Sequence, residues 1–76
     1  MVVTEIAEAV HNAEREGNKI AMFHYQILIH ADELRGIDAI EFCNEINVPE
    51  SYKIEYKKML NLAQLMKEQG SSMKKD

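Results

Sequence analysis

Apolar residues recur along most of this chain at intervals of three and four positions, which is the spacing of one face of an α-helix. Four segments carry the pattern, and a residue typical of a helix end follows each of them. Gly17, Gly36 and Gly70 follow three of the segments, where glycine readily adopts the left-handed conformation. The pattern predicts an all-α fold: one compact domain of four helices over residues 1–70.

The first two predicted helices differ in how much of their surface is apolar. The first is predicted over about residues 5–16 after an N-cap at Thr4, with one narrow apolar stripe. The second is predicted over about residues 19–35 and is apolar almost all round, which is typical of a central helix covered on several sides. Part of it also alternates as a strand does, at Phe23, Tyr25, Ile27 and Ile29. The length of the segment and its helix-period stripe favour the helix.

Residues 36–60 predict a short helix, a tight turn and the start of a longer helix, which is the order of a helix-turn-helix motif. Asp38 suits the N-cap of the short helix, with Glu41 three positions on as the second half of a capping box. Ile37, just before the cap, is spaced to pack on Phe42 as a hydrophobic staple. The inward face of the short helix is expected at Ile40, Phe42, Cys43 and Ile46.

The turn has a suitable residue at each of its positions. Asn47 tolerates the left-handed conformation and is expected to end the short helix, and Val48 is expected to point into the core. Pro49 suits the first turn of the next helix, where an N–H is not needed, and Ser51 is a competing N-cap.

The last helix keeps its period from this turn to Gly70. Its inward stripe is Tyr52, Tyr56, Met59, Leu60, Ala63 and Met66, and its opposite face carries Lys53, Lys57, Asn61 and Gln64. Residues 71–76 follow no period and are predicted to be a disordered C-terminal tail. Residues 1–70 are therefore expected to form a single helix-turn-helix-like domain.

Charge is distributed unevenly along the 76 residues, whose net charge is −4. Residues 1–50 hold ten acidic against three basic residues, a balance of −7, and residues 51–76 hold six lysines against three acidic residues, a balance of +3. Such asymmetry indicates contact with nucleic acid or a charged tail. The overall acidity disfavours very strong DNA binding, because neutralisation of phosphates supplies most of that affinity.

Candidate chemistry is sparse. His11, His24, His30 and Cys43 lack the spacing of a metal site, and structural zinc needs four ligands. The chain has no nucleophile elbow and no phosphate loop, so we expect no catalytic residue, metal or cofactor and no small-molecule substrate. A single cysteine fits the reducing cytoplasm, and the longest apolar run, residues 20–29, is too short to cross a membrane. We expect a cytoplasmic protein without membrane contact.

DNA recognition is the sharpest functional hypothesis that these residues support. In a helix-turn-helix the second helix enters the major groove, and its early residues meet base edges. The candidate contacts are Ser51, Lys53, Lys57, Lys58 and Asn61. Lysine binds guanine or phosphate, and asparagine pairs with adenine. The alternative is a solvated face on which Glu50 and Glu55 pair with the nearby lysines.

A known family shares this part of the sequence. Residues 36–63, G-I-D-A-I-E-F-C-N-E-I-N-V-P-E-S-Y-K-I-E-Y-K-K-M-L-N-L-A, preceded by A-D-E-L at residues 31–34, resemble a group of small, largely uncharacterised bacterial proteins described as helix-turn-helix-like. The resemblance covers most of residues 20–66. It implies a compact all-helical domain with a regulatory role in bacteria or their mobile elements, and it brings no ligand or catalytic residue.

An interaction module is the competing class of function. The second half of the last helix is broad and apolar, and Leu62 and Leu65 exceed what one inward stripe needs. Surplus apolar surface often marks a partner. We expect a homodimer with Leu62, Leu65 and Met66 in its interface, unless the first helix covers this flank. Such a module would keep the helix-turn-helix-like fold without binding DNA.

Overall fold

A computed structural model of the protein describes residues 2–70, which form helices and turns throughout. The helices are α1 (Val2–Glu14), α2 (Lys19–Ile29), α3 (Ala31–Leu34), α4 (Ala39–Glu45) and α5 (Tyr52–Glu68). The predicted all-helical fold is confirmed, but the described residues form five helices where the sequence predicted four. The predicted tail, residues 71–76, lies outside the described residues.

The fifth helix arises because the predicted second helix is interrupted at His30. The backbone leaves the helical region there, with φ −110° and ψ 16°, and the next helix starts from the His30 carbonyl. Two contacts from α5 hold α3 in place: the Tyr56 hydroxyl donates to the Leu34 carbonyl at 3.0 Å, and Lys67 pairs with Asp32 at 3.3 Å. Tertiary contact with α5 therefore accompanies the change of direction between α2 and α3.

The first helix begins earlier and ends earlier than predicted. It starts at Val2, so Thr4 lies inside the helix and is not its N-cap. Val2 and Val3 pack against the core, and this burial favours helix beyond the predicted start. The helix ends at Glu14 and is followed by a turn through Gly17, whose φ is +78°.

Helix α4 is capped as predicted, but only part of its predicted inward face is buried. Asp38 accepts hydrogen bonds from the backbone N–H groups of Ile40 and Glu41 at 3.0 and 3.1 Å, which confirms it as the N-cap. Within the described residues, Glu41 makes no return bond, so the capping box is half formed. Ile40 was expected to face inward and is instead 38% exposed, because Ala39, one position earlier, takes the buried place.

The turn after α4 is a Schellman motif. The N–H of Val48 donates to the Cys43 carbonyl at 3.0 Å, and the N–H of Asn47 donates to Asn44 at 3.2 Å. Asn47 has φ 61° and Val48 is buried, as predicted. Ser51 lies at the N-cap position of α5, as the sequence allowed, but its backbone is already helical and its side chain makes no capping bond. The first turn begins at Pro49, whose carbonyl accepts from the Tyr52 N–H at 3.0 Å.

Aromatic rings from three helices form the centre of the core. Phe42 of α4 stacks on Tyr56 of α5 with 4.6 Å between ring centroids, and Phe23 of α2 lies 6.2 Å from Phe42. Tyr52 meets Phe23 edge to face at 5.0 Å. All but Tyr52 are fully buried, so these contacts tie α2, α4 and α5 together.

Parts of α2 are less covered than the sequence predicted. The helix packs between α1 and α5. Three of its apolar side chains are exposed: Ile20 at its start, and Tyr25 and Ile29, which are one turn apart, at 44%, 55% and 52% exposure. The expectation of a helix covered on several sides is therefore wrong at these positions.

Replacing Tyr56 by phenylalanine tests how α5 is held against the preceding helices. The Tyr56 hydroxyl proton is shared between the carbonyl oxygens of Leu34 and Ile37, each 3.0 Å away. We expect Tyr56→Phe to lower the free energy of unfolding by about 1–2 kcal/mol in urea titrations at pH 7. The matched control is Tyr25→Phe, in which the exposed ring loses a hydroxyl without a change above about 0.5 kcal/mol.

The same tyrosine predicts an alkaline loss of stability. Burial, with added effects from Cys43 and Asp38, raises the pKa of the Tyr56 phenol above its usual value. The folded state thus holds this proton more tightly than the unfolded state, whose phenol titrates near a pH of about 10. The stability that the protonated Tyr56 phenol contributes is present below that pH and is lost as the pH rises above it. The gap in stability between wild type and Tyr56→Phe should therefore shrink at about pH 11, and a constant gap would contradict this assignment.

Candidate nucleic-acid interface

The rotation of α5 about its own axis decides which side chains it presents to solvent. Tyr56 points into the core, and its hydrogen bonds to Leu34 and Ile37 fix that orientation. The Glu55 carboxylate accepts a hydrogen bond from His24 Nε2 at 2.9 Å, so the Glu55 side of α5 faces α2. Lys53 is two positions earlier, about 160° away around the helix axis, so it lies on the other side of α5; its charge opposes the rise that burial causes in the pKa of Cys43. The helix therefore has two different flanks.

The flank toward α4 carries lysines. Lys53 and Lys57 are one helical turn apart, so they lie on the same side of α5, and we call this pair the basic flank. Lys53 is half-buried and Lys57 is exposed. Neither forms an ion pair with any other residue of the range 2–70.

The other described lysines are engaged within the chain. Lys19 pairs with Glu14 at 3.6 Å and lies over the Tyr52 ring, 5.6 Å from its centroid. Lys58 lies 3.9 Å from Glu55, and Lys67 lies 3.3 Å from Asp32. Each of these pairs has at least one exposed side chain, so each is individually weak. They nevertheless distinguish these lysines from the basic flank.

The predicted DNA contacts do not all fall on one side of α5. Lys53 and Lys57 lie together on the basic flank, and Ser51 is exposed just before the helix starts. Lys58 lies on the Glu55 side, because positions three apart on a helix are neighbours. Asn61 is exposed and follows Lys57 by one turn. Lys53, Lys57 and Asn61 can therefore contact the same external surface, and Ser51 lies at the edge of this group. Lys58 belongs to the opposite flank.

Acidic residues of α4 face away from the basic flank. Glu41 and Glu45 line a surface pocket with Val3 of α1 and Ile37. Their side of α4 is therefore turned toward α1, whereas the Cys43 side is turned toward Lys53. Glu50, in the turn, and Lys53 both act on the Cys43 thiol: burial raises the pKa of this thiol, Glu50 adds to that rise and Lys53 opposes it. Glu50 is therefore an acidic group close to the basic flank.

A histidine that the sequence did not single out for this role connects α1 to the turn. His11 Nε2 donates to the carbonyl oxygen of Ile46, the last residue before Asn47, at 2.8 Å. Its Nδ1 lies 3.3 Å from the Glu14 carboxylate, and this bond, together with the Lys19 charge, lowers the pKa of Glu14. The i, i+3 spacing of His11 and Glu14 was visible in the sequence, but the contact with Ile46, 35 positions away, was not.

The predicted interface residues of α5 lie beside a groove. Leu62 and Leu65 are 39% and 51% exposed, so α1 does not cover them. Met66 is half-buried in a groove whose apolar lining includes Leu28 and Ile29 of α2. The surplus apolar surface expected from the sequence is therefore present.

Two further candidate features of the sequence can be located within residues 2–70. Cys43 is fully buried, and burial raises the pKa of its thiol, which disfavours the reactive thiolate. Over the same range, His, Cys, Asp and Glu side chains do not gather in groups of three or more that could hold a metal ion. None of the helices α1–α5 combines the length and apolar character needed to cross a membrane.

The capped α4, its Schellman turn and the long α5 define a small helix-turn-helix-like domain. Comparison with protein families agrees with this assignment: the chain matches the family described as HTH-like domain over residues 1–69 and belongs to it. No curated protein and no solved structure matches the chain. The resemblance carried by residues 31–63 is thus confirmed at the level of the helix-turn-helix-like family.

Proposed function

We propose that this protein is a cytoplasmic DNA-binding transcriptional regulator of the helix-turn-helix type. The observation that carries the proposal is the basic flank of α5, on which Lys53 and Lys57 lack ion-pair partners among residues 2–70. Membership of the HTH-like domain family supports it, because the second helix of such a motif is the element that enters the major groove. The proposal includes no catalytic activity and no cofactor.

Each side chain of this surface has a role that its chemistry permits. Lys53 and Lys57 would contact phosphates or guanine edges, and Asn61, one turn further, would reach an adenine edge or the backbone. Ser51 stands where the first residues of the second helix meet DNA. Lys58, on the other flank and close to Glu55, would at most contact a phosphate at the edge of the site.

Glu50 and the net charge of −4 limit the expected affinity. Phosphate contacts supply most of the free energy of binding to non-specific DNA, and this flank offers few of them. We therefore expect binding in the micromolar range to an arbitrary duplex at low salt. Tighter binding would need a specific operator and base contacts.

The test removes the two ammonium groups of the basic flank. Lys53→Gln with Lys57→Gln should weaken binding to a fluorescent duplex roughly tenfold at low salt and should reduce the slope of log K against log salt by about 2. The matched control is Lys67→Gln, which removes a lysine from the far end of the same helix and should change affinity less than about twofold. Equal losses from both variants would mean that only overall charge matters, and would contradict a defined DNA-binding face.

A second candidate function is a homodimeric protein-interaction module with this fold and no DNA binding. The specific observation that favours it is the exposure of Leu62 and Leu65 on the other flank of α5. The lysine variants separate the two functions, because an interaction module should keep its partner when Lys53 and Lys57 are replaced. Self-association and DNA binding also occur together in dimeric regulators, which read paired half-sites.

A further inference from the structure

The large apolar side chains that stay exposed in this domain are concentrated on two neighbouring helices. Among the described residues, six of the seven lie on α2 or α5, namely Ile20, Tyr25, Ile29, Ile54, Leu62 and Leu65; the seventh is Ile40. Single exposed apolar residues are ordinary, but a patch shared by adjacent elements marks an interaction surface.

Two features of the structure join α2 and α5. The hydrogen bond from His24 to Glu55 joins the helices near the start of α5. Further along, Leu28 and Ile29 line one side of a groove whose other side is lined by Ala63 and Met66. We call the surface that carries this groove and its exposed neighbours the α2–α5 face; it comprises Tyr25, Leu28, Ile29, Leu62, Leu65 and Met66.

The charges around the α2–α5 face are already balanced within the chain. Glu55 contacts both His24 and Lys58, and Asp32 contacts both Lys67 and Arg35. A copy of this chain, which has a net charge of −4, would be repelled by surfaces where acidic groups dominate. The α2–α5 face presents acidic and basic groups together, so two such faces can meet without a net like-charge contact.

We propose that the α2–α5 face binds a second copy of this chain across a two-fold axis. Leu62 and Leu65 of one copy would pack near the groove of the other, and the same contact would occur in reverse, as two-fold symmetry requires. Met66 suits the edge of such a groove because its unbranched side chain adapts to irregular gaps. The inference deepens the self-association proposed above and does not depend on DNA binding.

The pairing leaves the basic flank open. Lys57 and Leu62 are five positions apart, which places them about 140° apart around the helix axis. A second copy on Leu62 would therefore not cover Lys57, and the dimer would carry two basic flanks related by the two-fold axis. Helix α5 thus serves two surfaces that meet at Asn61, one turn before Leu65: one for a second copy, and one, carrying Lys53 and Lys57, for DNA.

The test is the oligomeric state of Leu62→Glu with Leu65→Glu in sedimentation experiments. Each substitution occurs twice in a two-fold interface and buries an unpaired carboxylate, so the dimer dissociation constant should rise at least about thirtyfold. The control is Ile40→Glu, which adds one carboxylate, half the added charge of the double variant, at an exposed apolar position on α4 and should leave the dimer intact. Circular dichroism checks that both proteins are folded, and Tyr25→Glu is the second interface variant if the first is unfolded.

Salt separates this proposal from DNA binding. Raising the salt should leave self-association unchanged or strengthen it, because an apolar interface gains nothing from charge attraction and the net charge is screened. A wild-type protein that stays monomeric at about 1 mM, or a dimer unaffected by Leu62→Glu with Leu65→Glu and by Tyr25→Glu, overturns the proposed pairing even if the protein binds DNA. If the protein forms a dimer that does not bind DNA, the proposed pairing stands and the proposed function is refuted.

Discussion

Replacing Phe42 by alanine should cause the largest loss of stability of any substitution considered for this domain. Its ring is fully buried, stacks on Tyr56 at 4.6 Å and lies 6.2 Å from Phe23. Truncating a buried phenylalanine lowers the free energy of unfolding by about 3–5 kcal/mol. A chain of 76 residues typically has only about 4–11 kcal/mol in total. Urea denaturation followed by circular dichroism should therefore show a much lower midpoint for Phe42→Ala, and a wild type near the lower end of that range would leave the variant largely unfolded without denaturant.

Two substitutions in α4 separate this core effect from a general effect on the helix. Phe42→Leu keeps an apolar side chain in the same place and should lose clearly less stability than alanine does. Ile40→Ala changes an exposed residue two positions earlier and should stay within about 0.5 kcal/mol of wild type. If Phe42→Ala loses less than about 1 kcal/mol, the aromatic cluster is not the centre of the fold.

Replacing Asn47 by valine should produce the second-largest loss of stability. Asn47 has φ 61°, a conformation that a β-branched residue adopts only under strain. The Schellman bonds of the turn run through this residue, so the backbone cannot relax without separating α4 from α5. We expect the free energy of unfolding to fall by about 1–3 kcal/mol, again measured by denaturation in urea.

Glycine at the same position is the matched control. Asn47→Gly removes the side chain but accepts the left-handed backbone freely, so its stability should remain within about 0.5 kcal/mol of wild type. A similar loss from valine and glycine would show that the asparagine side chain, rather than the backbone conformation, supports the turn.

The features that the sequence predicted well depend on residues close together in the chain. Asp38 caps α4, Asn47 takes the left-handed conformation and Val48 enters the core. Each of these roles follows from bonds within about five residues. The period of α5 was also readable, because Tyr56 and its helical neighbours repeat over four turns.

The errors arose where distant contacts decide the structure. The interruption of the predicted second helix at His30 accompanies contacts between α3 and α5, such as the bond from Tyr56 to Leu34, 22 positions away. Helix α1 extends to Val2 because its first residues find apolar partners in the core. Ser51 was expected to be a cap, but its backbone is already helical and its side chain makes no capping bond, while the Pro49 carbonyl accepts from the Tyr52 N–H.

The candidate site was predictable as a set of residues but not as an arrangement. Sequence pattern placed Lys53, Lys57 and Lys58 together on one predicted surface. Which of them lies near a carboxylate depends on where Glu55 points, and Glu55 points toward His24 of α2. The separation of α5 into a basic flank and an apolar flank therefore required the packing of three helices.

The most direct test of DNA binding is the salt dependence of the wild-type protein on a generic fluorescent duplex. If the basic flank of α5 contacts phosphates, log K should fall linearly with log salt with a slope of about −2 or steeper, from micromolar binding at low salt. Absence of binding at about 50 mM salt, or a slope near zero, would contradict the proposed DNA-binding function.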